Sequence, residues 1–308
     1  MSQGGERPVE VDAERVGRLI ATQFPQWAGL PLAPEPQQGM DNTTFRLGGT
    51  MSVRLPRFPR WVGQVEREQR WLPVLAPRLP LAVPVPLGRG EPGEGYPFPW
   101  SVNRRLGGRA ATGEHLTHPD RAADRLAGFI AALRTVDATG APGPEWSNAF
   151  RGVPMGDERD SLAVEWRVRT KLERVVELPG VDADGVRAVW DAALAAPAWD
   201  RPPVWIHGDL AAGNLLVADG ELSGVIDFGT LAAGDPAVDL LPAWTFLPAS
   251  ARPRFRAALG VDDATWARGR GWGLAASLPV PDDPFFRGHP DRMATAVRQL
   301  DQLVRDMG

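Results

Sequence analysis

Residues 205–217 read Trp205-Ile206-His207-Gly208-Asp209-Leu210-Ala211-Ala212-Gly213-Asn214-Leu215-Leu216-Val217, and Val225-Ile226-Asp227-Phe228-Gly229 follows shortly after. Two carboxylates and one carboxamide thus stand at the ends of short apolar stretches, Leu215–Val217 and Leu222–Phe228, joined by the turn Asp219-Gly220. Such strands are buried and rigid, so polar residues at their ends project into a cleft. Asp227 and Asn214 offer hard oxygen atoms, as Mg²⁺ requires. They are too few for an all-protein cage, so such an ion keeps waters and borrows ligands from substrate phosphates. Asp209 lies close enough in sequence to Asn214 to share the site without being a metal ligand. A free carboxylate there can accept a proton from a hydroxyl nucleophile.

The spacing His-x-Asp-x-x-x-x-Asn, followed by Asp-Phe-Gly, is the catalytic-loop and metal-loop signature of the kinase fold. Together with Gly208, and with Gly234-Asp235-Pro236-Ala237-Val238-Asp239-Leu240 downstream, it resembles the aminoglycoside phosphotransferase family. The resemblance implies an α+β, protein-kinase-like bilobal fold. Its small β-rich N-lobe, residues 1–106, would bind nucleotide, and its larger, mostly helical C-lobe, residues 107–308, would hold the catalytic and acceptor sites. It also implies an enzyme that moves the γ-phosphate of ATP or GTP, with Mg²⁺, to a hydroxyl of a small molecule such as an aminoglycoside, an activity of antibiotic resistance. In that reading Asp209 is the base, Asn214 and Asp227 hold Mg²⁺, and His207 shapes the loop by hydrogen bonding. Other members act on macrolides, choline and fructosamines, so a metabolite kinase is an alternative. A nucleotide-binding pseudoenzyme is another, against which the complete set Asp209, Asn214 and Asp227 argues. Asp239 reads as structural, and Asp235 as the N-cap of a helix beginning at Pro236. The short run from Asp227 to Gly234 leaves no room for a long activation loop, which favours a small acceptor over a protein.

If the resemblance holds, the N-terminal third binds the nucleotide. Gly39-Met40-Asp41-Asn42-Thr43-Thr44-Phe45 lies where kinase-like folds lay a loop over the phosphates. Gly39 permits close backbone approach, and Asn42, Thr43 and Thr44 supply donors. In the strand Met51–Leu55 the position ordinarily held by a phosphate-pairing lysine is Arg54. Arginine keeps the charge and grips phosphate bidentately. Its carboxylate partner is expected from the next helix, with Glu68 fitting best and Glu66 as the fallback. The connector Trp100-Ser101-Val102-Asn103-Arg104 is where backbone groups, around Val102, would hold adenine. Candidate acceptor-lining residues are Asp282, Asp283, Phe285, Phe286, Trp244, Trp266 and Trp272, although helical spacing suits the tryptophans equally to core packing.

The 308 residues are 43% hydrophobic and 23% charged, with formal net charge −4, as in an ordinary globular chain rather than a disordered one. The acidic balance argues against a nucleic-acid partner. Absence of cysteine excludes disulfides, a Cys nucleophile and thiolate metal sites. No apolar run approaches membrane-spanning length and the first residues lack a signal-peptide pattern, so no membrane partner and a cytoplasmic location are expected. Only one of the 34 basic residues is lysine, Lys171, far along the chain from the strand of Arg54. Scattered His115, His118 and His289 form no metal set. Periodicity predicts helices over 12–24, 64–75, 120–136, about 158–177 and 182–196, then mostly helix over 235–306. Strands are expected over 43–47, 51–55 and 100–106, with Gly48-Gly49 as a hairpin turn and Pro73 or Pro77 closing the second helix.

Overall fold

The apolar stripe Val16, Leu19 and Ile20 folds as its spacing predicts. In the computed structural model, which describes residues 7–36, 38–39, 41–111, 116–157, 166–280 and 286–307, helix α1 (Ala13–Gln23) buries that stripe. Its N-cap is Asp12, whose carboxylate accepts from Arg15 N at 2.8 Å. The stripe shares a core with an antiparallel sheet of β1 (Leu32–Pro34), β2 (Asn42–Leu47), β3 (Met51–Pro56), β4 (Pro86–Gly90) and β5 (Trp100–Arg104), ordered β1-β2-β3-β5-β4. Phe45, Leu47, Val53, Leu55, Tyr96, Trp100 and Val102 fill that core. β2 and β3 form the expected hairpin with Leu47 opposite Met51, and Gly48 takes the positive φ its turn needs.

Helix α2 (Val62–Leu75) runs two residues past Pro73 rather than ending there. A proline in the last turn leaves one carbonyl without its partner and breaks nothing downstream. The turn Ala76–Arg78, which contains Pro77, makes the stop. The strand expected to run to Arg104 and on to Leu106 ends at Arg104.

Two compact units result: residues 1–107 with 224–229, and residues 108–223 with 230–308. The segment 224–229 carries Asp227, and it packs with the first unit although the chain on both sides belongs to the second. A parallel bridge between Ala82 and Gly224, with Val225 N donating to Ala82 O at 2.9 Å, secures it.

The second unit contains β6 (Arg109–Ala110), α3 (Pro119–Thr135), α4 (Trp166–Arg174), α5 (Ala183–Ala195), β7 (Val204–Ile206) and β8 (Leu215–Ala218). β9 (Glu221–Val225) starts there and ends in the first unit, and β10 (Ala232–Gly234) pairs antiparallel with β7. Then come α6 (Pro242–Thr245), α7 (Arg252–Leu259), α8 (Asp263–Ser277) and α9 (Pro290–Arg305). α3 packs on α7, and α5 and α9 pack on α8. Trp205, Trp244, Phe129 and Phe255 are among the fully buried side chains. Of the helix expected over 158–177, residues 158–165 lie outside the described residues, as do Met40, His115, Asp282, Asp283 and Phe285. The expected strand Leu222–Phe228 stops at Val225, because Asp227 takes a left-handed φ of 65° that no strand continues. No helix among the described residues is long and apolar enough to cross a membrane.

Candidate active site

β3 alternates between its faces, so Val53 and Leu55 enter the core while Arg54 stands on the other side. The Arg54 guanidinium donates from Nη1 to Glu68 Oε1 and from Nη2 to Asp227 Oδ1, each at 2.8 Å. Glu68 lies on the buried face of α2 with Gln64 and Arg67, spaced as helical neighbours are. Glu66 points elsewhere: its side chain is 70% exposed and lies 3.7 Å from Arg89 Nε. Of the two carboxylates weighed from sequence, Glu68 is the one that meets Arg54. Glu68 Oε1 also accepts from Phe228 N at 3.1 Å.

Burial alone would lower the Arg54 pKa, but Asp227 and Glu68 outweigh it and raise it, so the guanidinium stays charged. Burial pushes the Glu68 carboxyl above the usual carboxylate range against the pull of Arg54, with the nearby Asp227 charge adding to the push. The turn that presents Asp227 is fixed by the fully buried Phe228 ring and by Gly229. A Cβ at Gly229 would lie 2.6 Å from Gln64 Cδ, so a side chain there would displace that amide.

The candidate phosphate loop belongs to the same unit. Gly39 is exposed, with nothing crowding it. Asn42, nearly buried at the start of β2, donates from Nδ2 to Gln64 Oε1 at 3.3 Å, and Gln64 Nε2 donates to Asp41 Oδ2 at 3.2 Å. Thr43 is half-buried opposite Leu55, and Thr44 exchanges hydrogen bonds with the Gln38 amide at 2.8 and 2.9 Å. β5 lies between β3 and β4, so both its edges are paired, and the Val102 side chain is in the core.

In the second unit, β7 leads into His207-Gly208-Asp209. Asp239, fully buried, accepts from His207 N through Oδ2 and from Gly208 N through Oδ1, both at 2.8 Å. Burial pushes the Asp239 carboxyl up, against His207, the two N–H groups and Arg134, which hold it down. Thr230 Oγ1 donates to His207 O at 2.8 Å, and Asp209 N donates to His207 Nδ1 at 3.2 Å. His207 is buried and shapes the turn through these bonds. Gly208 has φ 82°, and a Cβ on it would meet Thr230 O at 2.9 Å and Arg151 Cβ at 3.0 Å. Asn214 ends the turn Ala212–Asn214, and its Nδ2 donates to Asp209 O at 2.9 Å and to Asp209 Oδ2 at 3.0 Å. The amide thereby fixes the orientation of the Asp209 carboxylate.

Asp235 N-caps the turn that begins at Pro236, accepting from Ala237 N at 3.0 Å, and forms a two-bond pair with the buried Arg268. Trp244, Trp266 and Trp272 are buried, with the Trp244 and Trp266 rings 4.7 Å apart, so they serve the core. His118 and His289 flank helix starts and Phe286 is half-buried. Lys171 falls in α4. Sequence reading missed Gln64, Arg67 and the grip of Asp239 on the loop. Arg67 Nη1 donates to Gly229 O. Gln64 and Arg67 carried no distinguishing signal, since Glu66, Gln69 and Arg70 make the same helix polar on its other faces as well.

A family model described as the phosphotransferase enzyme family matches residues 33–272. No curated protein matches by sequence. Among solved structures, the GDP complex of aminoglycoside 2'-phosphotransferase-IIIa superposes with TM-score 0.67 at 18% identity, covering 97% of this chain and 100% of that one. A type I macrolide 2'-phosphotransferase gives TM-score 0.58 at 19% identity, covering 96% and 99%. The macrolide 2'-phosphotransferase MphH from Brachybacterium faecium gives 0.55 at 25% identity, covering 94% and 98%.

Proposed function

Because the chain belongs to the phosphotransferase enzyme family, we propose that it transfers the γ-phosphoryl group of ATP or GTP to a hydroxyl of a small molecule, with Asp209 as the base. The observation that carries this reading is the loop 207–214. Asp239 holds its start through two backbone N–H groups, and Asn214 holds the Asp209 carboxylate in one orientation. A carboxylate fixed so can accept the acceptor's proton while the acceptor oxygen bonds the γ-phosphorus. The bond from that phosphorus to the bridging oxygen breaks, and a nucleoside diphosphate leaves. Such catalysis is mostly positioning and charge stabilisation.

Arg54 would compensate the α- and β-phosphates, since a guanidinium binds phosphate as well as carboxylate. Glu68 would orient it, as it does here at 2.8 Å. Gly39, Asn42 and Thr43 would line the phosphate loop. The donor set suits Mg²⁺: Asn214 spends its Nδ2 on Asp209 and keeps a hard amide oxygen, and Asp227 supplies a carboxylate. Asn214 and Asp227 would therefore hold the ion, which when bound neutralises phosphate charge. We assign nucleotide binding to a lobe ending near residue 106 and acceptor binding to the remainder, and place the protein in the cytoplasm.

The names of the similar structures support an antibiotic as the acceptor. They are enzymes of aminoglycosides and macrolides, one in complex with GDP. An antibiotic hydroxyl of either class is the first acceptor to try, with choline- and fructosamine-like alcohols next. The test is a transfer assay with ATP or GTP and Mg²⁺ over a panel of these compounds, read by mass. A phosphorylated product supports the reading. Nucleotide binding with no product from any alcohol would favour a nucleotide-binding pseudoenzyme instead.

A further inference from the structure

Gln64 is almost fully buried on α2, and both ends of its amide are engaged. Its Oε1 accepts from Asn42 Nδ2 at 3.3 Å, and its Nε2 donates to Asp41 Oδ2 at 3.2 Å. The same amide lies against Gly229 so closely that a Cβ there would come within 2.6 Å of Cδ, 2.8 Å of Nε2 and 2.9 Å of Oε1. Farther along the same helix face, Arg67 donates to Gly229 O, and Glu68 takes the Phe228 N–H and the Arg54 guanidinium. One face of α2 is thus bonded at one end to residues 41–42 and along its length to the turn 227–229.

We propose that Gln64 is a positioning residue that couples occupancy of the phosphate loop to the placement of the Asp227 carboxylate. The proposal rests on the nucleotide reading above. A buried amide with donor and acceptor both engaged cannot move away from one partner without leaving polar groups unsatisfied. A shift of Asp41 and Asn42 toward phosphates therefore drags the amide, which lies beside Gly229. Asp227 sits two residues before that contact at φ 65°. This is a sparsely populated conformation, which persists only where the surroundings determine it. What presses on Gly229 consequently sets where Asp227 points.

The test compares the full chain with Gln64→Met, which keeps length and shape against Gly229 while deleting both hydrogen bonds. Isothermal titration with ADP, with and without Mg²⁺, reads the gain in affinity that the metal gives. The expected result is Mg²⁺-free ADP affinity within roughly 3-fold of wild type and a Mg²⁺ gain smaller by about 10-fold, the scale of two lost hydrogen bonds. A wild-type Mg²⁺ gain in folded Gln64→Met overturns the proposal and leaves the nucleotide reading standing. Failure of the wild-type chain to bind ADP at all overturns both. If Gln64→Met does not fold, Asp41→Ala takes its place. The reading there is ADP affinity with Mg²⁺ present: loss of the charge alone leaves it unchanged or tighter, so binding weaker than wild type supports the coupling and equal or tighter binding overturns it.

Discussion

Arg54 in the first unit and Asp239 in the second each organise a loop bearing a proposed site residue, but they grip different groups. Arg54 holds two side-chain carboxylates, Glu68 and Asp227, by ion pairs of 2.8 Å. Asp239 holds two backbone N–H groups, those of His207 and Gly208, at the same distance. Side-chain ion pairs can change partners, because a guanidinium can donate to phosphate in place of carboxylate. Backbone N–H groups buried at a strand end have no such exchange open to them and must stay paired. The first arrangement suits a part of the site that rearranges when an anionic ligand arrives. The second suits a part that stays as it is built.

Each prediction strains one side of this contrast. The largest effect is expected for Asp209→Asn, which keeps the bond geometry with Asn214 approximately but removes the base. Its kcat should fall by roughly 10²–10⁴ in steady-state transfer assays, the usual worth of a positioned base, with nucleotide affinity near wild type. Next comes Arg54→Met, which leaves Glu68 buried without its cation. Removing one partner of a buried pair typically costs about 3 kcal/mol, here moderated because Glu68 can take up a proton, and urea unfolding would read the loss. Asp239→Asn presents an amide N–H₂ to one of the two backbone N–H groups it now accepts. A loss of about 1–3 kcal/mol is expected by the same measurement, with kcat reduced because the Asp209 loop loosens. Glu66→Gln should change stability by less than about 0.5 kcal/mol and leave activity alone, as for an exposed side chain outside the bracket. A Glu66 effect matching that of Arg54 would break the assignment of partners.

The proposed catalytic and metal residues were legible because their roles put fixed groups at fixed spacing on strand ends: Asp209, Asn214 and Asp227 stand out as a set. Glu68 could be preferred to Glu66 from the pattern of kinase-like folds, and the contact with Arg54 goes to it. Gln64 and Arg67 were not legible, since a polar residue on a helix reads as solvent-facing until its neighbour is known. The grip of Asp239 on His207 and Gly208 spans a long stretch of chain, and pairing over such separations leaves no local pattern. Residues 224–229 illustrate the same limit. Nothing in their sequence says that they pack with the first unit while their neighbours pack with the second. The tryptophans of the second unit were ambiguous for the opposite reason: aromatic residues at helical spacing serve core and ligand alike, and burial settles Trp244, Trp266 and Trp272 as core.

The contrast between a yielding and a fixed half is most directly tested by amide hydrogen exchange of the full chain, with and without a slowly hydrolysed ATP analogue and Mg²⁺. Exchange at the Phe228 amide, held by Glu68, should change on binding as the Arg54 bracket repartners. Exchange at the His207 and Gly208 amides, held by Asp239, should not. Equal changes at both places, or a change confined to His207 and Gly208, would contradict the account.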